Sequence, residues 1–339
     1  MHLLHVAAYF DSLECFLFLY NKGFQLETKT ANDLLPIHYA CYGGAIEVAS
    51  FLCMNKVNVN AAPPNSHFTP IFLATCAKSV TILNLLFDSG AVIPNYTPGN
   101  VSRTPLTQAI QNSDIDCIKL ILENTNMMRA DMKNYSPLMK AISSYAFDAV
   151  PLLVEHGVDV AYQTPEGRSA LFIACFMKQE NIVRYLIDHG ASVTQRGQLG
   201  QYPVHWAAAT DNVNILKMIL EAGADPNVVD DNKRPPSFSA LCSPNNSYEI
   251  LKILFEHGVN PNAIDMKTKS TILVSLLMNN PTDNQKRTIR LILDNGADLN
   301  IITPSGKTVY QVAKVCEKPE IMKVIDDFLL EHPEIKVIQ

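Results

Sequence analysis

Three histidines recur in phase, and they are the residues of this chain that come nearest to a chemical pattern. His156, His189 and His257 each stand immediately before a glycine. Neutral imidazole is the commonest metal ligand, so a periodic histidine raises the question of a metal ladder. Neighbouring structural units at helix-packing distance lie about 10 Å apart, and shared ligation needs about 2 Å. The three histidines therefore read as groups that cap the last carbonyls of a helix, next to the glycine that ends it. The eight cysteines are scattered with no C-x-x-C pair; they read as reduced thiols rather than a disulfide or zinc framework. No phosphate-cradling G-x-x-x-x-G-K-[ST], zinc-binding H-E-x-x-H, nucleophile-elbow G-x-S-x-G or glycine-rich dinucleotide turn is present. Gly197 and Gly200 serve turn geometry, and Lys286, Arg287 and Arg290 form a small basic face that reads as solvated. The sequence therefore predicts no catalytic residue, no metal site and no cofactor.

The elements that carry these residues are clearest between Tyr202 and Asn227. Pro203 suits the first turn of a helix, where its missing N–H has no partner to lose. Val204, Ala207 and Ala208 make one apolar stripe at helical spacing, with alanines small enough for a second helix to lie close. Asp211 and Asn212 break the pattern. Ile215, Leu216, Ile219 and Leu220 make a second stripe, which Gly223 ends in the left-handed conformation that glycine adopts freely. Two antiparallel helices result, and neither can bury its stripe alone.

The hairpin repeats. Aligning on the alanine held by Ala207 gives Ala7, Ala40, Ala74, Ala109, Ala141, Ala174, Ala207, Ala240, Ser275 and Ala313, at intervals of 32 to 38 residues. The glycine position gives an independent register: Gly23, Lys56, Gly90, Thr125, Gly157, Gly190, Gly223, Gly258 and Gly296. Ten repeats follow. Such stacks are quasi-one-dimensional, so the sequence predicts a single array over 1–334 with a frayed tail at 335–339. The first repeat lacks a preceding hairpin. The last ends in a helix from about Pro319 to Glu331, whose Asp326, Asp327 and Glu331 give the polar face a terminal cap needs.

These motifs resemble the ankyrin repeat family. Pro36-Ile37-His38, Thr69-Pro70-Ile71, Thr104-Pro105-Leu106, Ser136-Pro137-Leu138 and Pro203-Val204-His205 look like its T-P-L-H-x-A signature; GADPN at 223–227, GVNPN at 258–262 and GADLN at 296–300 look like its G-A-D-x-N ending. The resemblance covers essentially the whole chain, with both motifs in phase at a period near 33. It implies an all-α solenoid of helix-turn-helix pairs with inter-repeat β-hairpin loops. It also implies that His5, His38 and His205 are structural and hydrogen-bond between repeats. Lys56 and Thr125 depart from the glycine position, and the repeats around Pro235-Pro236 and Ser270-Thr271 lack T-P-L-H.

The resemblance further implies a concave groove lined by residues just after the paired small residues and by the hairpin tips. Position by position this gives Tyr9, Phe10, Tyr42, Gln111, Asn112, Phe176 and Met177 on the helical wall, with Leu34, Phe68, Arg103, Tyr135 and Arg168 on the tips. Aromatic and arginine side chains are the types that anchor interfaces. The expected function is a non-catalytic scaffold or adaptor that holds a protein or peptide partner in the groove. The alternative is the targeting arm of a larger enzyme, ubiquitin-ligase adaptor or channel. A net charge of −6 with acids and bases interspersed argues against nucleic acid or an anionic membrane as the main partner. Asp11 and Glu14 interrupt the apolar start, and no run of about 18 apolar residues occurs. The expected state is a cytoplasmic monomer.

Overall fold

The computed structural model describes residues 2–64, 66–93, 104–125, 136–243, 245, 247–278 and 283–338. Contacts divide the chain into two compact units, 1–164 and 165–339. Each is built from five helix pairs, a first helix that opens the repeat and a second that returns.

In the first unit the opening helices are α1 (Leu3–Tyr9), α3 (Pro36–Gly43), α5 (Pro70–Cys76), α7 (Pro105–Gln111) and α9 (Pro137–Ser143). Their partners are α2 (Leu13–Asn21), α4 (Ile46–Met54), α6 (Val80–Asp88), α8 (Ile115–Glu123) and α10 (Ala149–Glu155). Opening helices pack on opening helices and returning helices on returning ones, which makes two layers. The second unit repeats the plan with α11 (Ala170–Phe176), α13 (Pro203–Ala209), α15 (Pro236–Ser239), α17 (Ile272–Leu277) and α19 (Val309–Val315). The returning helices there are α12 (Glu180–Asp188), α14 (Val213–Glu221), α16 (Ser247–Glu256), α18 (Asp283–Asp294) and α20 (Pro319–Glu331).

Local chemistry accounts for the helix ends. Proline occupies the first turn of α3, α5, α7, α9, α13, α15 and α20, where it costs no hydrogen bond. Thr69, Ser136, Ser169 and Thr308 accept from backbone N–H groups of the turns they open, each cap contributing about 1 kcal/mol. The marker alanines are buried, with Ser275 half-buried in their place in the ninth repeat. His156, His189 and His257 each place Nδ1 2.8 Å from the carbonyl of the residue four before, so the capping role expected of them is what they perform.

Lys56 takes the left-handed backbone of the missing glycine, at φ 53°. Thr125 deals with the same helix end through its side chain, whose hydroxyl donates to the Ile121 carbonyl at 2.6 Å. A second left-handed position recurs four residues after the marker, at Asp11, Gly44, Lys78, Ser113, Tyr145, Lys178, Asp211 and Glu317. Ring closure enforces it: the next N–H bonds back to the marker carbonyl, as from Ser12 to Ala7 at 3.0 Å and from Ala146 to Ala141 at 2.9 Å. Asp11 uses this half-buried position to cap the neighbouring repeat, its carboxylate accepting from the Val48 and Glu47 N–H groups at 3.0 and 3.3 Å.

The inter-repeat hairpins are mostly tight turns closed by single backbone bonds, such as Thr30 to Leu34 and Asp230 to Arg234, both at 3.0 Å. Bridges of strand type occur at Ile264 with Thr271 and at Ile302 with Thr308. After α20, Asn300 Nδ2 donates to the Lys336 carbonyl and its Oδ1 accepts from the Ile338 N–H, both at 2.8 Å. Asn262 bonds the Gly296 carbonyl and the Asp298 N–H in the same way, so the tail continues a ladder that links repeat to repeat. The basic face is not merely solvated, because Lys286 pairs with Glu320, Arg290 with Asp294 and Glu331, and Arg287 lies 4.5 Å over the Tyr248 ring. Those groups join the last returning helices.

Candidate partner-binding surface

The first unit contains an open cavity of about 560 Å³ between opening helices and hairpin tips. Four of the residues expected in a groove meet there: Leu34 and Phe68 from the tips, Tyr42 from α3 and Gln111 from α7. The turn at 30–34, with Asp33 left-handed at φ 58°, carries Leu34 over the cavity. Phe68 is held by its N–H bond to Ser66 Oγ at 3.2 Å. Phe68 remains 39% exposed and Tyr42 56% exposed.

Tyr39, His67 and Phe72 complete the aromatic wall, and the sequence reading did not single them out. His67 lies 4.4 Å from Phe68 and meets the Phe72 ring edge-on at 4.8 Å, which fixes the orientation of all three. A signal for Phe72 was available: it stands in the signature slot that holds His38 and His205, so the usual histidine is replaced by an apolar ring.

None of the cavity's lining residues is Asp, Glu, Lys or Arg. His38, which contributes to the wall, is held neutral because burial pushes its pKa below the ordinary histidine value. Both ring nitrogens are committed, Nδ1 accepting from the Leu35 N–H and Nε2 donating to the Ala61 carbonyl, each at 3.0 Å. His205 repeats the arrangement against Tyr202 and Arg234, and His5 bonds the Thr28 carbonyl. These are the inter-repeat bonds the resemblance implied.

The remaining expected residues are distributed elsewhere. Tyr9 adjoins the cavity wall through Tyr42, ring centroids 6.1 Å apart, while its backbone carbonyl is so close to Gly43 that a Cβ there would sit 2.1 Å away. Phe10 packs edge-on against Tyr9 and lines a separate apolar hollow of about 510 Å³ with Leu3, Phe18 and Leu19. Asn112 is a structural tie, donating to the Thr75 carbonyl at 3.0 Å. Phe176, Met177 and Arg168 belong to the second unit. There Phe176 is 73% exposed and stacks on Phe172, which meets Trp206 in a T-shaped contact; Met177 is half-buried and Arg168 exposed. Arg103 and Tyr135 lie outside the described residues.

Among the described residues no cluster of three or more His, Cys, Asp or Glu is placed to hold a metal ion. Cys41, Cys117 and Cys175 are buried, and burial raises the Cys117 and Cys175 thiols to about 12, which removes the thiolate that nucleophilic chemistry needs. No described helix is long and apolar enough to cross a membrane.

Comparison with known proteins agrees with the architecture. A family model described as ankyrin repeats (3 copies) matches residues 4–97, 91–164, 106–197, 161–230 and 192–265. An ankyrin repeat and KH domain-containing protein of Caenorhabditis briggsae is 27% identical over 144 residues, which is 42% of this chain and only 5% of that protein. The probable 26S proteasome regulatory subunit p28 of Saccharomyces cerevisiae is 27% identical over 160 residues, 46% of this chain and 70% of that protein. Among solved structures, the ankyrin repeat domain of Bcl-3, a member of the IkappaB protein family, is similar with a TM-score of 0.54 at 24% identity, covering 64% of this chain and 97% of that one.

Proposed function

Because the chain belongs to the ankyrin repeat family, whose repeats are generally protein-interaction modules, we propose that it is a non-catalytic scaffold that holds a partner protein against its first unit. The observation that carries the reading is the aromatic cavity at Leu34, Tyr42 and Phe68, whose lining holds no Asp, Glu, Lys or Arg. Rings left accessible at the mouth of a cavity cost solubility unless something covers them, and clustered aromatics are what interface hot spots are made of. Tyr9, Phe10, Arg103, Tyr135, Arg168, Phe176 and Met177 are secondary contacts in this reading. The partner is a protein or peptide rather than nucleic acid or membrane, the chain acts as a monomer, and its compartment is the cytoplasm.

A photoreactive phenylalanine analogue at position 42 tests the reading. It should crosslink a discrete partner from cell extract, whereas the same probe at Leu330, 80% exposed on α20, should not. Equal crosslinking at both positions would sink it. A second reading is that the repeats are the targeting arm of a larger protein. What favours it is the nematode relative, in which the matched stretch is 5% of the whole.

A further inference from the structure

We infer that the occupant of the cavity is a polyproline-II segment carrying an uncharged apolar side chain at every third residue. The inference rests on the groove reading above and specifies the partner's chemistry. Three observations carry it. The wall is aromatic, with Tyr39, Tyr42, Phe68 and Phe72 around one space. Aromatic-lined grooves favour polyproline-II ligands, whose backbone is already extended and loses little entropy on binding. The lining holds no Asp, Glu, Lys or Arg, although 18% of the chain is charged. An acidic, basic or phosphorylated anchor would have to shed its water there without a counter-charge.

The third observation is one of period. The wall is built from opening helices α3, α5 and α7, and packed helices are spaced about 8–10 Å apart. Polyproline II has three residues per turn at 3.1 Å each, so one of its faces recurs every ~9.3 Å, in step with successive repeats. A β-strand recurs on one face every ~6.8 Å and falls out of step. The Tyr42 hydroxyl and the exposed Gln111 carboxamide at the wall can serve the carbonyls that polyproline II leaves free of internal bonds.

The test uses the full chain and fluorescein-labelled peptides read by anisotropy. One peptide has leucine at every third position among prolines, a second scrambles that period, a third puts lysine at each leucine, and a fourth is a proline-free amphipathic helix. The period-three peptide should bind at least tenfold more tightly than the scrambled and lysine peptides. Its affinity should change less than twofold between low and high salt, and fall at least tenfold in Tyr42→Ala and in Phe68→Ala, with melting by circular dichroism showing that both variants fold. Equal binding of scrambled and period-three peptides would overturn the inference. So would preference for the amphipathic helix, but if that preference is lost in the same variants the groove reading survives. Failure of all four peptides also overturns the inference, and the crosslink at position 42 then decides whether the groove reading falls with it.

Discussion

Neutral histidines hold successive repeats together, and their chemistry sets a pH limit on the fold. Burial pushes His5, His38 and His205 below their ordinary pKa of 6.5, while the unfolded chain keeps histidines near that value. Above about pH 6.5 both states are neutral at these residues, and their hydrogen bonds contribute in full. As the pH falls below 6.5 the unfolded chain takes up protons that the folded chain refuses, so stability falls. Urea unfolding at pH 7.5 and 5.5 should show the loss, and replacing His38 and His205 by Gln should flatten it; equal slopes would remove histidine as the cause. A second polar group acts in the opposite sense. Ser237 is buried in the slot that Leu, Ile or Val fills in most other repeats, and its hydroxyl has no hydrogen-bond partner. Ser237→Ala should stabilise the protein by about 1 kcal/mol, the order of cost for an unsatisfied buried hydroxyl; a lowered unfolding midpoint would mean the hydroxyl is satisfied in solution. The slot was legible in the sequence because it recurs with the period. The orphaned hydroxyl was not, since satisfaction depends on neighbours that only packing supplies.

Repeats eight and nine are the weak elements of the stack. Helix α15 is four residues long and runs into a 3-10 turn at Ala240–Cys242, and α17 has six residues, whereas α13 completes seven around the buried Trp206. Short helices satisfy fewer of their own backbone groups and bury a shorter stripe. Amide exchange should therefore reach residues 232–287 before the helices from α9 to α14; uniform protection would count against it. The departure from T-P-L-H foretold this irregularity, as Pro203 and Gly223 foretold the bounds of α13 and α14, because such signals act through the local backbone. The second left-handed position was invisible in the residue types, since Lys78 and Tyr145 carry no preference for it. It arises from the N–H bond that closes the turn on the marker alanine. The bond from Asn300 to the Lys336 carbonyl was invisible for a related reason, since its partners stand 36 residues apart.

At the scale of the whole molecule, binding and folding compete for the same aromatic rings, and exposure separates the two roles. Tyr9 and Phe68 are 37% and 39% exposed, so most of each residue is already covered within the fold; Tyr42 is 56% exposed and lines the cavity. A buried aromatic side chain covers about 150–250 Å², and at roughly 25 cal/mol per Å² removing Tyr9, Tyr42 and Phe68 together would cost the fold several kcal/mol. Single replacements discriminate better. Tyr42→Ser should leave the melting midpoint nearly unchanged and weaken the crosslinked partner by about 2 kcal/mol, or ~30-fold. Tyr9→Ser should lower the midpoint with less effect on binding, because Tyr9 reaches the cavity only through Tyr42. Phe10→Ser should weaken binding far less than Tyr42→Ser, as a secondary contact whose ring faces the separate hollow beside Phe18. Calorimetric melting and partner affinity measured on the same three variants decide it. If Tyr42→Ser lowers the midpoint as far as Tyr9→Ser does, the ring is core and the cavity is no binding site; if Phe10→Ser alone weakens binding, the partner occupies the hollow at the first repeat instead.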